Sequence, residues 1–126
     1  MSLDVTLIEG HEEPTTRWCD YCGVEHQCAP ELVVYDANIT HNLNRMAKEA
    51  GIYEACWRPE EIGATHARDL IPLLRRGLRK LVEDPEHFKQ FNASNGWGLY
   101  EHFVTWVSEY LRACEEHPYA TIRVSR

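Results

Sequence analysis

Tyr100, Phe103, Val104, Val107, Leu111 and Cys114 recur at helical spacing along residues 99–116, the period that gathers side chains on one face of an α-helix. Trp106 and Tyr110 widen that face, and Pro118 stops it. So one-sided a helix must lay its apolar band on a second layer to escape water. Two further stripes supply material for that layer. Leu70, Leu74, Leu78, Leu81 and Val82, with Ile71 alongside, predict a helix within residues 65–83. Ile39, Leu43, Met46, Ala47 and Ala50 predict another over residues 38–50, started by Asp36 or Asn38 as its cap and closed by Gly51 in a left-handed conformation.

Pro72 constrains the second helix. It fits the first turn if Asp69 is the cap, which leaves Thr65 to Arg68 as a separate turn and Pro85 to end the segment. Residues 52–57 read as a short turn broken by Arg58-Pro59, and residues 92–99 as a loop. Three β-type runs remain: Leu3 to Ile8, Leu32 to Tyr35, and Thr121 to Val124. The prediction is a single α+β domain over residues 1–126. Three helices pack on a small antiparallel sheet built from the N- and C-terminal segments, and a cysteine-rich turn follows the first strand.

Charge narrows the partners. The chain has 126 residues, a net charge of −7 and a pI near 5.4. This balance disfavours duplex nucleic acid and anionic membrane as generic partners. No basic-then-apolar leader opens the sequence, and no run reaches the roughly 18 apolar residues that cross a bilayer. The expectation is a cytoplasmic protein. In that reducing setting, clustered cysteines point to metal or redox chemistry more than to a disulfide framework.

Cys19-Asp20-Tyr21-Cys22-Gly23 matches the turn that presents two thiolates to one metal ion. His26 and Cys28 are the nearest completing ligands for zinc, in a knuckle spanning residues 17–28, with His11 as a substitute for either. Two alternate residues converge on one ion only in a compact turn, not along a smooth strand. Plain reduced loop cysteines are the competing reading. A redox pair is disfavoured, because a polar turn follows where such motifs usually open a helix. Cys56 and Cys114 lie in apolar surroundings and read as small core residues.

Asn38, His41, Asn42 and Arg45 share one side of the first predicted helix. Amides, an imidazole and a guanidinium can read a polar ligand by directed hydrogen bonds. A solvated or purely structural polar face is the alternative. His41 is the best single candidate for a general base, since an imidazole changes charge near neutral pH. Trp57 and Trp97 flank glycine-bearing loops and are able to stack a base or sugar, with Arg58 beside Trp57 to meet an anion. The competing reading makes the tryptophans core plugs and pairs Arg58 with Glu60 or Glu61. Arg75, Arg76, Arg79 and Lys80 form a basic run suited to solvent or to an acidic partner, a second copy of this chain included.

Asn38-Ile39-Thr40-His41-Asn42-Leu43, Ala50-Gly51-Ile52-Tyr53, Trp57-Arg58-Pro59-Glu60-Glu61-Ile62-Gly63 and Ser94-Asn95-Gly96-Trp97-Gly98 form a recurring pattern. It resembles that of a group of short uncharacterised bacteriophage and bacterial proteins, from about Tyr35 onward. The resemblance implies that these residues belong to a shared design, and it favours a site made from Asn38, His41, Asn42, Arg58 and Trp97. It implies no mechanism. The leading expectation is a binding protein without catalysis for a small polar ligand such as a nucleotide. The alternatives are a zinc-stabilised protein-interaction module and a small hydrolase or transferase with His41 as base.

Overall fold

Leu3, Val5 and Leu7 alternate inward along the first strand, and all three are fully buried. A strand buried on one face needs partners on both edges, and the two remaining β-runs supply them. The computed structural model describes residues 2–9, 15–18, 25–28, 32–92, 96 and 98–126, with 15–18 and 25–28 described by their backbone. β1 (Ser2–Glu9) is the centre of a three-stranded sheet, between β4 (Leu32–Thr40) and β5 (Thr121–Ser125). Both pairings are antiparallel. They run from Ser2 opposite Thr40 to Glu9 opposite Leu32, and from Asp4 opposite Ser125 to Ile8 opposite Thr121. The ends of the sequence therefore meet in one sheet, as the α+β reading requires. β2 (Thr15–Trp18) and β3 (Glu25–Cys28) form a separate antiparallel pair.

The helices are α1 (Asn44–Glu49), α2 (Tyr53–Trp57), α3 (Ala67–Glu83), α4 (Pro85–Lys89) and α5 (Tyr100–Glu116), with 3₁₀ turns at His41–Leu43 and Pro59–Ile62. α3 and α5 are the long ones, and their predicted stripes are the ones buried. Leu70, Leu74 and Leu81 meet Phe103, Val107 and Tyr110 and the inward side chains of β1 in one core. The Tyr100 hydroxyl donates to the Leu81 carbonyl at 2.6 Å and ties the start of α5 to the end of α3. Gly51 adopts a positive φ of 78°, as its predicted capping role requires. Cys56 and Cys114 are buried core thiols. Burial pushes both up, Cys114 to about 12, so they stay neutral and poorly nucleophilic.

Two predicted boundaries are corrected. Residues 38–40 are strand, not the beginning of a helix. Ladder bonds to β1 along the whole of β4 outweigh a local helical period, and Asn38 is therefore not a cap. α3 begins at Ala67, so Thr65 to Arg68 is not a separate turn and Pro72 lies inside the helix. The C-terminal segment explains the early start. The first free amides of α3, on Ala67 and Arg68, donate to the carbonyls of Ala120 and Pro118, each at 2.8 Å. Pro72 forgoes a bond to the Arg68 carbonyl, but it sits on the exposed side of the helix, where solvent borders that turn.

Asp69 closes the entry to α3 from within. Its Oδ2 accepts from the backbone N–H groups of His66 at 3.0 Å and Thr65 at 3.1 Å. Those bonds hold its carboxyl below the usual range. A depressed carboxyl contributes stability above its unfolded value of about 3.9, and that contribution is lost as pH falls through the lower folded value. Asp69→Ala should cost about 1 kcal/mol at pH 7 and flatten the loss of stability below about pH 4. Thermal melts of both proteins across pH 2–7 check this.

Candidate functional site

β4 ends where its last residue becomes the cap of the next turn. Thr40 remains extended, at φ −67° and ψ 141°, and its Oγ1 accepts the Asn42 N–H at 3.3 Å. Buried Leu43 anchors the turn to the core, so His41 and Asn42 stand at the corner between sheet and helix. Gly98 closes on that corner from the far side of the chain. A Cβ built on it would lie 3.1 Å from the Asn42 Cβ and 3.4 Å from the Leu43 Cγ, at a φ of +122°. Only glycine accepts both that approach and that conformation.

A cavity of about 730 Å³ opens at this corner. Its apolar wall is Ile39 and Leu43, and its polar wall is Ser2, Asn38, Thr40, His41, Asn42 and His102. No lysine or arginine lines it among the described residues.

Two of the polar groups have their roles fixed by neighbours. The Trp57 indole donates from Nε1 to His41 Nδ1 at 2.9 Å. An indole nitrogen only donates, so Nδ1 must present a lone pair, and the proton of the neutral imidazole sits on Nε2. The hydrogen-bonding group left to His41, a residue of the cavity lining, is therefore a donor, Nε2–H. Asn38 Nδ2 donates to Ser2 Oγ and to Asp4 Oδ1, each at 2.8 Å. The carboxylate accepts only, which fixes the amide's orientation and leaves Oδ1 as the Asn38 acceptor.

Trp57 is held in turn. It is 2% exposed, and Tyr53 stacks on it with centroids 5.7 Å apart. Arg58 Nε donates to the Tyr53 hydroxyl at 3.2 Å, and its guanidinium lies 3.6 Å from Glu61.

The structure thus brings Asn38, His41 and Asn42 to one cavity. Arg58 is not among the residues lining it; its guanidinium is committed to Tyr53 and Glu61. Trp97 lies outside the described residues, although its neighbour Gly98 lines the cavity. Arg45 stacks over the Phe91 ring at 5.4 Å and is likewise not part of the lining. Sequence reasoning missed Ser2, Thr40 and His102. Ser2 becomes visible only through its pairing with Thr40 in the sheet. His102 lies in the first turn of α5, and no local sequence signal pointed to it.

Of the proposed zinc ligands, Cys19 and Cys22 lie outside the described residues. His26 and Cys28 belong to β3, an extended segment and not a compact turn. Among the described residues no group of three or more His, Cys, Asp or Glu is placed to hold a metal. No helix of the described residues is long and apolar enough to cross a membrane. Comparison with known proteins gives no matching family model, no matching curated relative and no matching solved structure.

Proposed function

We propose that this protein binds a small, neutral, planar polar ligand of nucleobase type at the Asn38–His41–Asn42 corner and catalyses no reaction on it. The bond from Trp57 to His41 carries the reading. A general base must offer a lone pair to the proton it takes, and the His41 lone pair is already occupied. The same bond turns His41 into a directed donor, with the Asn38 carbonyl oxygen on the same wall as an acceptor. One donor and one acceptor complement a flat edge that carries both, as the amide edge of an oxo-purine does. The volume suits such a ligand, since small-molecule sites run to about 300–1,000 Å³. Phosphate gains little from a wall whose described residues include no lysine or arginine. The base and sugar, more than the phosphates of a nucleotide, are what this cavity reads.

Titration of ¹⁵N-labelled protein with three probes tests the reading. Inosine is expected to perturb His41 and Asn38. 1-Methylinosine, which lacks the N1–H, should bind at least about tenfold more weakly, the equivalent of one hydrogen bond. Inosine 5′-monophosphate should bind no more tightly than inosine. Affinity dominated by the phosphate, indifference to the methyl group, or no response at either residue would contradict the proposal.

A further inference from the structure

We propose that Arg126 is a positioning residue for the cavity: by holding the backbone of Trp57 it sets the orientation and tautomer of His41, which it does not touch. Arg126 Nη1 donates to the Trp57 carbonyl at 2.8 Å and to Glu60 Oε1 at 2.5 Å. Trp57 is the last residue of α2, and the final carbonyls of a helix have no partner within it. The guanidinium satisfies one of them. β5 delivers it there, because Ser125, its neighbour, is paired with Asp4 in the sheet. Glu60, in the turn just after Trp57, holds the second end of the clamp. Its own backbone N–H, then the Arg126 guanidinium, keeps its carboxyl below the usual range.

Trp57 is thereby fixed at three points: its carbonyl by Arg126, its ring face by Tyr53, and its indole N–H by His41. His41 lies 16 residues from Trp57 in sequence, and the indole N–H is the bond that selects its ring nitrogen. A rotation of the α2 terminus that moves the indole away frees both His41 nitrogens to carry the proton. The donor facing the cavity is then no longer fixed. Arg126, at the far end of the sequence, is in this way linked to ligand recognition through two hydrogen bonds and one ring. The role deepens the ligand-binding reading above and rests on it, but its signature is present without any ligand.

The test is the ¹⁵N spectrum of the histidine rings and indole N–H groups in the ligand-free protein, recorded for wild type, Arg126→Ala, Arg126→Lys and Arg112→Ala. Arg112 pairs with Glu116 on the surface of α5 and controls for the loss of an ordinary ion pair. Wild type is expected to show His41 as a single Nε2–H tautomer. Arg126→Ala should mix the tautomers, shift the Trp57 indole signal, and weaken inosine binding about threefold to thirtyfold. Arg126→Lys should restore part of the signature, and Arg112→Ala should leave it intact. Glu60→Gln weakens the same clamp without touching Arg126 and should move His41 the same way by less, which keeps the test available if Arg126→Ala folds poorly. An unchanged His41 spectrum in Arg126→Ala, or in Glu60→Gln where the alanine variant does not fold, overturns the positioning role alone. A wild-type spectrum with the intended tautomer but no response to inosine overturns the ligand reading alone. A wild-type His41 protonated on Nδ1 overturns both.

Discussion

Gly77→Ala is expected to destabilise the protein by about 2–3 kcal/mol, although alanine is favoured over glycine in a helix interior by about 1 kcal/mol. Gly77 sits on the buried face of α3. A Cβ built there would lie 2.2 Å from the Ile52 Cγ2 and 3.2 Å from its Cδ1. Ile52 is 1% exposed and β-branched, so it has little freedom to turn away. Overpacking must therefore outweigh the propensity gain, and the sign of the substitution reverses. Truncating Ile52 to alanine removes both of these atoms and leaves only its Cβ, 3.3 Å away, as a close neighbour. In an Ile52→Ala background, Gly77→Ala should be neutral or stabilising, and urea denaturation of the four proteins in the cycle measures the coupling. A wild-type background in which Gly77→Ala raises stability would mean that α3 does not lie so close to Ile52.

Trp57→Ala should cost about 4 kcal/mol, the scale for emptying a buried tryptophan site. It also strips His41 of its hydrogen-bond partner. Trp57→Phe separates these effects. The phenyl ring keeps much of the packing and can still stack on Tyr53, while the indole N–H is lost. Its stability cost should be about 1–2 kcal/mol, but its effect on inosine binding should approach that of His41→Ala. Equal inosine affinity for Trp57→Phe and wild type, measured by calorimetry, would show that the indole proton does not govern the site.

The elements that sequence alone revealed are those whose signal is local and repeated. The stripes of α3 and α5 are periodic over many residues, and every turn of the helix votes the same way. β1 and β5 alternate or are short and β-branched. At the boundary between β4 and the first turn Ile39 and Leu43 fit a helical period, while the ladder to β1 that overrides it joins residues such as Ser2 and Thr40, far apart in sequence. The position of Pro72 within α3 is hidden from the sequence for the same reason: the amide partners that start α3 at Ala67 come from Pro118 and Ala120.

The site divides along the same line. Asn38, His41 and Asn42 are close in sequence and converge even though the predicted helix linking them is partly strand. For Arg58 the competing sequence reading, a pair with Glu60 or Glu61, is the one the structure supports through Glu61, while its bond to the Tyr53 hydroxyl has no local signal. His102 and Ser2 joined the cavity through tertiary folding, and Arg126 reached Trp57 across the whole domain. The chemical role of His41 was also beyond the sequence. An imidazole is base or donor according to which nitrogen is occupied, and the group occupying it belongs to another helix.

The most direct measurement is an inosine titration that follows the His41 ring nitrogens and their protons in ¹⁵N-labelled protein. The account predicts an Nε2–H signal already present without ligand, moving on inosine binding, while Nδ1 keeps the character of an acceptor bonded to Trp57. A His41 that carries its proton on Nδ1, or an Nε2–H that ignores saturating inosine, would contradict it.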